Sequence, residues 1–406
     1  MATVYVGVAE DDTQVAVKVI KAEYAQNKEF LTMFMDEGRL ASRLFHPNIV
    51  RVLQLGEEDG RLYMAMELLR GQSLHALWDA TRKHEIPVTP EVIAYLGAEV
   101  AAALHHAHDA TDESGKPLQI VHRDVNPSNV LVSYSGEVKV IDFGLAKAVN
   151  RSSQTAAGIV KGKIAYLSPE QVSGKPLDRR ADLFSLGTTL WEVSLNRRLF
   201  KGETKLETIH KIHKAEVPDP LTIAPGYPVL LWSVLRRCLM RLPAERFETA
   251  HECEVAFREV LAALAPDRDM KAEVAALMVR AFGEDKAKQE AWLEDASRAT
   301  AQPLPTLRPM APAQPASDSS GSGLSLKSGD LTIETPESSS PNAPPRSVLS
   351  SPPPPLPAAA RSSSRSTAPT AGRVSRTSWA VPIGIVLVFL VVLAAGAFLL
   401  QRRPGR

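Results

Sequence analysis

Cysteine is almost missing from this 406-residue chain: only Cys238 and Cys253 occur. Two thiols cannot staple a disulfide scaffold, which excludes the small secreted classes and favours a reducing compartment. No charge of one sign prevails either. Lys plus Arg is 47 and Asp plus Glu is 46, a net charge of +1. That balance argues against a strongly basic nucleic-acid binder and against an acidic tail protein, so nucleic acid is not an expected partner. Residues 301–378 lack Phe, Trp and Tyr altogether, while they hold 15 of the 30 prolines and 18 serines. Such a stretch cannot bury enough apolar surface to offset the entropy of ordering, and 300–378 reads as a disordered linker.

Residues 380–400, AVPIGIVLVFLVVLAAGAFLL, lack any charge. Twenty-one residues at about 1.5 Å each cover roughly 30 Å, one hydrocarbon thickness. Trp379 stands at one interface, and Arg402 and Arg403 at the other, so 379–401 reads as a single transmembrane helix with a short basic tail, 402–406. Arg361, Arg365, Arg373 and Arg376 precede the span, so charge does not set its orientation. No signal-peptide pattern stands at the beginning. The expectation is a single-pass protein of the inner (plasma) membrane with its large N-terminal part in the cytoplasm.

What is present in residues 1–264 has the composition of a folded domain. Thr3–Val8 and Gln14–Ile20 are β-branched and alternating, with Asp11-Asp12 in the turn between them. Residues 29–44 read as an amphipathic helix ended by His46-Pro47-Asn48. Ile49–Leu55 and Arg61–Glu67 read as two further strands, and helical patterns dominate from Pro90 onward. Strands first and helices later give an α+β domain with two lobes. Residues 265–299 read as a helical extension, with Met270, Val274, Leu277, Met278, Phe282 and Trp292 spaced among charges.

Three motifs follow in order: VHRDVNPSNVLV at 121–132, VIDFGLA at 140–146 and YLSPEQ at 166–171, with VAVKVI upstream at 15–20. Together, and with five residues from Asp124 to Asn129 and thirteen from Asn129 to Asp142, they resemble the protein-kinase signature set. The chain is most similar to bacterial eukaryotic-like (Hanks-type) Ser/Thr protein kinases over residues 1–264. The resemblance implies a two-lobed protein-kinase fold with a β-rich N-lobe and a helical C-lobe. It implies phosphoryl transfer, which depends on positioning and charge neutralisation more than on covalent help, with ATP and Mg²⁺ (or Mn²⁺) as cofactors. Lys18 then contacts the α- and β-phosphates, and Glu37, on the helix before HPNIV, pairs with it. Asn129 and Asp142 hold the metal, and Asp124 accepts the substrate hydroxyl's hydrogen bond. Val4, Ala16 and Leu131 sandwich the adenine, Met66 borders the back of that pocket, and Glu67 to Leu69 form the hinge. Asp182 braces the catalytic loop, and Glu170 and Arg246 form a buried ion pair.

The chain also departs from that family. It opens on Met1-Ala2-Thr3-Val4-Tyr5, the tail of a Gly-rich loop whose glycines let backbone N–H groups approach phosphates. The expectation is a start codon assigned too late. Asn126 stands where the family's catalytic loop carries a Lys, and Lys163 stands where a Thr is usual, so Lys163 is the candidate to supply the lost ammonium. TDESGKPLQ at 111–119 reads as an inserted surface loop. The HHAH run at 105–108 lies on a helix pattern without Cys or Asp at ligand spacing, and does not read as a metal site. In the activation segment Ser152, Ser153 and Thr155 are candidate phosphate acceptors, Thr155 first, with Arg123 as the residue that pairs with the phosphate.

The expected function is ATP- and Mg-dependent phosphorylation of Ser/Thr in proteins, including the chain itself, in bacterial signalling at the membrane. Protein substrates, the membrane and a homodimer for phosphorylation in trans are the implied partners. The rival from a different class is a membrane-anchored pseudokinase, a scaffold without catalysis, motivated by Asn126 and the missing glycines. A small-molecule kinase is disfavoured by the SPE segment and the phosphorylatable loop.

Overall fold

The structure is a computed structural model of the full chain, and it describes residues 2–9, 13–58, 60–143 and 163–299. The first lobe is a four-stranded antiparallel sheet in the order β1-β2-β4-β3, formed by β1 (Ala2–Val8), β2 (Gln14–Ile20), β3 (Val52–Glu58) and β4 (Arg61–Glu67). Helix α1 (Lys28–Ala41) starts where the Asn27 side chain accepts from Phe30 N at 3.0 Å, the usual repair of an orphan N–H at a helix start. Its apolar face closes a small core with the sheet: Ile20, Phe34, Met35, Ala41, Val52, Leu62 and Met64.

Two expected boundaries move, for one reason. The helix expected over 29–44 ends at Ala41, and the strand expected over Ile49–Leu55 begins at Val52. Leu44 and Ile49, 1% and 2% exposed, belong to the core of the second lobe and not to that of the first. The chain therefore leaves the helix to carry these side chains across. Residues 48–50 hook onto the second lobe: Val140 N donates to Asn48 O at 2.8 Å and Val50 N to Val140 O at 3.0 Å. The Asn48 amide donates to Glu99 Oε2 at 2.7 Å and to Val138 O at 2.9 Å.

After the crossing at Glu67–Arg70, the second lobe opens with a small antiparallel sheet, β5 (Gly71–Ser73), β6 (Val130–Ser133) and β7 (Val138–Val140). Helices α2 (Leu74–Lys83), α3 (Pro90–His108), α4 (Pro169–Val172), α5 (Arg180–Leu195), α6 (Lys205–Lys214), α7 (Val229–Cys238) and α8 (Ala250–Leu264) complete it. α3 and α5 are buried on nearly all sides. That explains why an amphipathic stripe is weak in both: a helix with no solvent face has none to show. α3 comes so close to α8 that a Cβ on Gly97 would stand 2.8 Å from the Phe257 ring. Cys238 and Cys253 are buried free thiols 3.5 Å apart on α7 and α8, and burial pushes the Cys253 thiol well up.

The extension is one further helix, α9 (Met270–Ala299), broken at Phe282. Its Met270, Val274, Leu277, Met278 and Phe282 lie in the same core as α3 and α8. Among the described residues no helix is long and apolar enough to cross a membrane. The linker, the apolar span 379–401 and the basic tail lie outside the described residues.

Candidate active site

The site begins on β2. Alternation along a strand puts Gln14, Ala16 and Lys18 on one face. Across the ladder Lys18 is opposite Val4 on β1 and Met64 on β4, and Ala16 is opposite Met66. Lys18 Nζ lies 3.3 Å from Glu37 Oε1 on α1 and 2.6 Å from Asp142 Oδ1. Burial opposes the charge of this ammonium, but Asp142 and Glu37 outweigh it and hold the Lys18 pKa above its ordinary value. One lysine thus joins the sheet, α1 and the segment after β7.

The opposite wall is the loop 122–129. Asp124 is 9% exposed and Asn129 4%. The Asn129 amide donates to Asp124 O at 2.8 Å and to Asp124 Oδ2 at 3.1 Å, which leaves its amide oxygen for a ligand. Asp142 sits in the left-handed region at φ +54 with its carboxylate 41% exposed, while the next side chain, Phe143, is 2% exposed and lies 4.6 Å from the His122 ring. Burying the Phe pins the backbone so that the Asp carboxylate faces the cleft. Asn129 and Asp142 offer oxygen donors only, which suits a hard divalent cation completed by phosphate oxygens. No group of three or more His, Cys, Asp or Glu among the described residues could hold a metal by itself.

Asp182 on α5 holds the loop from below. Wholly buried, it accepts from His122 N at 2.8 Å and Arg123 N at 2.7 Å, and His108 Nε2 lies 2.8 Å from its Oδ2. Burial works against its charge, but the hydrogen bonds from His108 and from the His122 and Arg123 N–H groups hold its carboxyl below the usual range. Burial keeps His122 neutral, its pKa lowered against the pull of Asp182 and Asp124. In that state its Nδ1 accepts from Asp124 N at 3.2 Å while Nε2 lies 3.0 Å from Ile141 O. Further out, Arg246 has a partner for each of its five N–H groups. It bonds Glu170 twice, at 2.7 and 2.9 Å, and donates to the carbonyls of Met240, Arg180 and Arg241.

Several of these supports escape a reading of the motifs. His108 belongs to the HHAH run, which the fold divides: His105 lies beside His251, His106 beside His46, and His108 turns inward to Asp182. Gln171 closes the S-x-x-Q capping box of α4 and also donates to Arg123 O at 3.1 Å. Its signal was in the sequence as Ser168-Pro-Glu-Gln171. Tyr166 donates to the buried Glu192 at 2.8 Å, and Arg198 reaches the same carboxylate at 3.1 Å. No local pattern marks that triad.

The structure brings Lys18, Glu37, Asp124, Asn129 and Asp142 together. Val4 is 46% exposed beside Lys18, Ala16 is 9% exposed, and Met66, Leu69 and Leu131 are half-buried. Glu67 uses its side chain structurally, accepting from Arg51 N at 2.8 Å and Lys139 Nζ at 2.7 Å. Asn126 does not point at the cleft as the lysine it replaces is expected to. It is 2% exposed and braces its own loop, donating to Asp124 O at 2.8 Å and accepting from Ser128 N at 2.9 Å. Lys163 opens the 3-10 turn Lys163–Tyr166, but its side chain, like Ser152, Ser153 and Thr155, lies outside the described residues.

The family model for the protein kinase domain matches residues 1–257. The chain is 40% identical over 240 residues to the tyrosine-protein kinase MasK of Myxococcus xanthus, covering 59% of this chain and 37% of that relative. It is 35% identical over 257 residues to the serine/threonine-protein kinase PrkC of Bacillus subtilis, covering 63% of this chain and 38% of that one. The crystal structure of the Mycobacterium tuberculosis PknI kinase domain is similar over 64% of this chain and 90% of that chain, with a TM-score of 0.48 and 27% identity. The chain therefore spans well under half the length of the curated relatives named here.

Proposed function

This chain belongs to the protein kinase domain family, and from that premise we propose that it transfers the γ-phosphate of ATP to Ser or Thr hydroxyls of proteins. The observation that carries the reading is the ammonium of Lys18 held between Glu37 and Asp142, opposite Asp124 and Asn129. In this reading Lys18 binds the α- and β-phosphates, and Glu37 keeps the ammonium from swinging out. Asp124 accepts the hydrogen bond of the incoming hydroxyl and aims its oxygen at phosphorus. Asn129 and Asp142 would hold a Mg²⁺ or Mn²⁺, which would supply charge neutralisation at the phosphates. Lys163 supplies the ammonium that Asn126 does not, and Lys163→Thr is expected to cut turnover while nucleotide affinity stays unchanged. Thr155 is the first choice for self-phosphorylation, with Arg123 as the phosphate's partner; the Arg123 Nε is buried with no hydrogen-bond partner among the described residues. The apolar span anchors the chain in the inner membrane with the kinase domain in the cytoplasm, where tethering raises the concentration of other anchored chains and favours phosphorylation in trans.

The test is label transfer from γ-labelled Mg-ATP by the full chain, with Asp142→Ala as control and phosphoamino-acid analysis of the product. Label on Ser or Thr that vanishes in the control supports the proposal. Label on Tyr overturns its Ser/Thr part. Nucleotide binding with no transfer overturns catalysis and leaves the membrane scaffold.

A further inference from the structure

We infer that α9 is a strap that fixes the opening between the two lobes, and that Gln14 and Leu293 are positioning residues for the nucleotide. The first half of α9 is built into the helical lobe. Met270, Val274, Leu277 and Met278 are 7% exposed or less in its core, and Lys271 Nζ lies 3.0 Å from Glu137 Oε1 in the β6–β7 turn. That turn presents Gly136, at φ +83, so close to α9 that a Cβ there would stand 2.0 Å from Lys271 O. Glycine is needed at this position twice over, for the left-handed backbone and for the contact.

At Phe282 the backbone leaves the helix, at φ −140 and ψ 25, and Gly283 follows. A break of this kind redirects a helix. The second half then reaches the other lobe. Leu293 is 3% exposed, and its carbonyl accepts from the Gln14 amide at 2.9 Å, 279 positions earlier in the chain. The Gln14 oxygen accepts in turn from Arg70 Nη2 at 3.2 Å. Arg70 ends the Glu67–Arg70 crossing between the lobes. One side chain therefore joins the start of β2, the crossing and the strap.

The consequence for the site follows from strand geometry. Gln14, Ala16 and Lys18 share a face of one strand that rises about 3.3 Å per residue, and that strand is paired along its length with β1 and β4. Holding Gln14 holds the approach of Ala16 and Lys18 to Leu131 and Asp142 on the opposite wall. The nucleotide part of this inference rests on the proposed function; the lobe-holding part does not.

The test uses the full chain with Gln14→Ala, Leu293→Asp and, as control, Trp292→Ala, whose side chain is 41% exposed on the same helical turn. The first readout is hydrogen–deuterium exchange. Both test variants are expected to raise exchange in β1, β2 and residues 67–73 about tenfold, the equivalent of one or two lost hydrogen bonds, with α3 and α5 unchanged and the control silent. The second readout is kinetic: KM for ATP rises several-fold while kcat at saturating ATP stays within about twofold, the pattern of lost binding without lost chemistry. Unchanged exchange in those segments in both test variants overturns the strap. Gln14→Ala leaves every apolar contact of α9 in place, so it decides the case if Leu293→Asp also loosens α3 and α5. If the unaltered chain neither binds nor turns over ATP, exchange still decides the strap, and the failure belongs to the kinase reading.

Discussion

On the helical-lobe wall of the cleft, Asp182 is wholly buried among three partners from the catalytic loop and α3, and Arg246 has every N–H bonded. On the strand-lobe wall, Lys18 meets its two carboxylates through side chains that stay 16% to 41% exposed, above a small core of buried residues that includes Ile20, Phe34 and Met64. The first wall is held by satisfied buried charge, which is costly to break because a partner left behind cannot find water. The second is held by ion pairs only partly withdrawn from solvent, which cost less to break than a fully buried pair. The difference is one of polar satisfaction: the helical-lobe wall has its charges paired inside the protein, while the strand-lobe wall keeps its charges partly open to the cleft.

The comparison breaks most visibly at the buried pair. Glu170→Ala leaves Arg246 charged and unpaired, and is expected to cost about 3–5 kcal/mol in denaturant unfolding. A loss within experimental error would mean that the helical-lobe wall is not held as described. Lys18→Met is the counterpart. It should lower kcat/KM by about 100- to 1,000-fold through lost charge stabilisation, while the unfolding free energy falls by less than it does in Glu170→Ala. A large stability loss in that variant would erase the distinction between the walls.

Acid sharpens the contrast. His122 has a lowered pKa, chiefly through burial, and His46, His75 and His106 share that direction and leading cause. For each, the stabilising neutral form is present above the unfolded value of about 6.5 and is lost as pH falls through the lower folded value. Asp182, also lowered, adds a loss of the same sign at still lower pH, below about 3.9. The urea midpoint should therefore fall from pH 7 to pH 5, and a flat profile there would contradict the burial of these rings. The smallest effect is expected from Arg39→Ala. Its pair with Asp36 spans 3.7 Å on the exposed side of α1, so both stability and turnover should stay within about 0.5 kcal/mol of the parent. A larger change would mean that charge on α1 acts beyond Glu37.

The grouping of the candidate site's residues was legible because they fall in short runs with fixed offsets. Lys18, Asp124, Asn129 and Asp142 are each marked by neighbours, and Glu37 by its distance from His46. What holds them was legible only in part. His108 carries no mark that separates it from His105 and His106, since all three lie on one helix and only the position of α5 selects which ring meets Asp182. Asn126 read as a lost phosphate contact, and in the fold it is a buried brace. The boundaries at Ala41 and Val52 also went astray, because Leu44 and Ile49 answer to the other lobe's core.

The sequence alone determined the family, the order of strands before helices, and the identity of the charged groups, since each rests on residue type and local spacing. Tertiary structure decided which of two cores an apolar residue enters, which histidine is buried, and that α9 runs from one lobe to the other to meet Gln14. These are contacts between segments far apart in the chain. Local spacing cannot encode them, because they depend on where whole elements come to rest against one another.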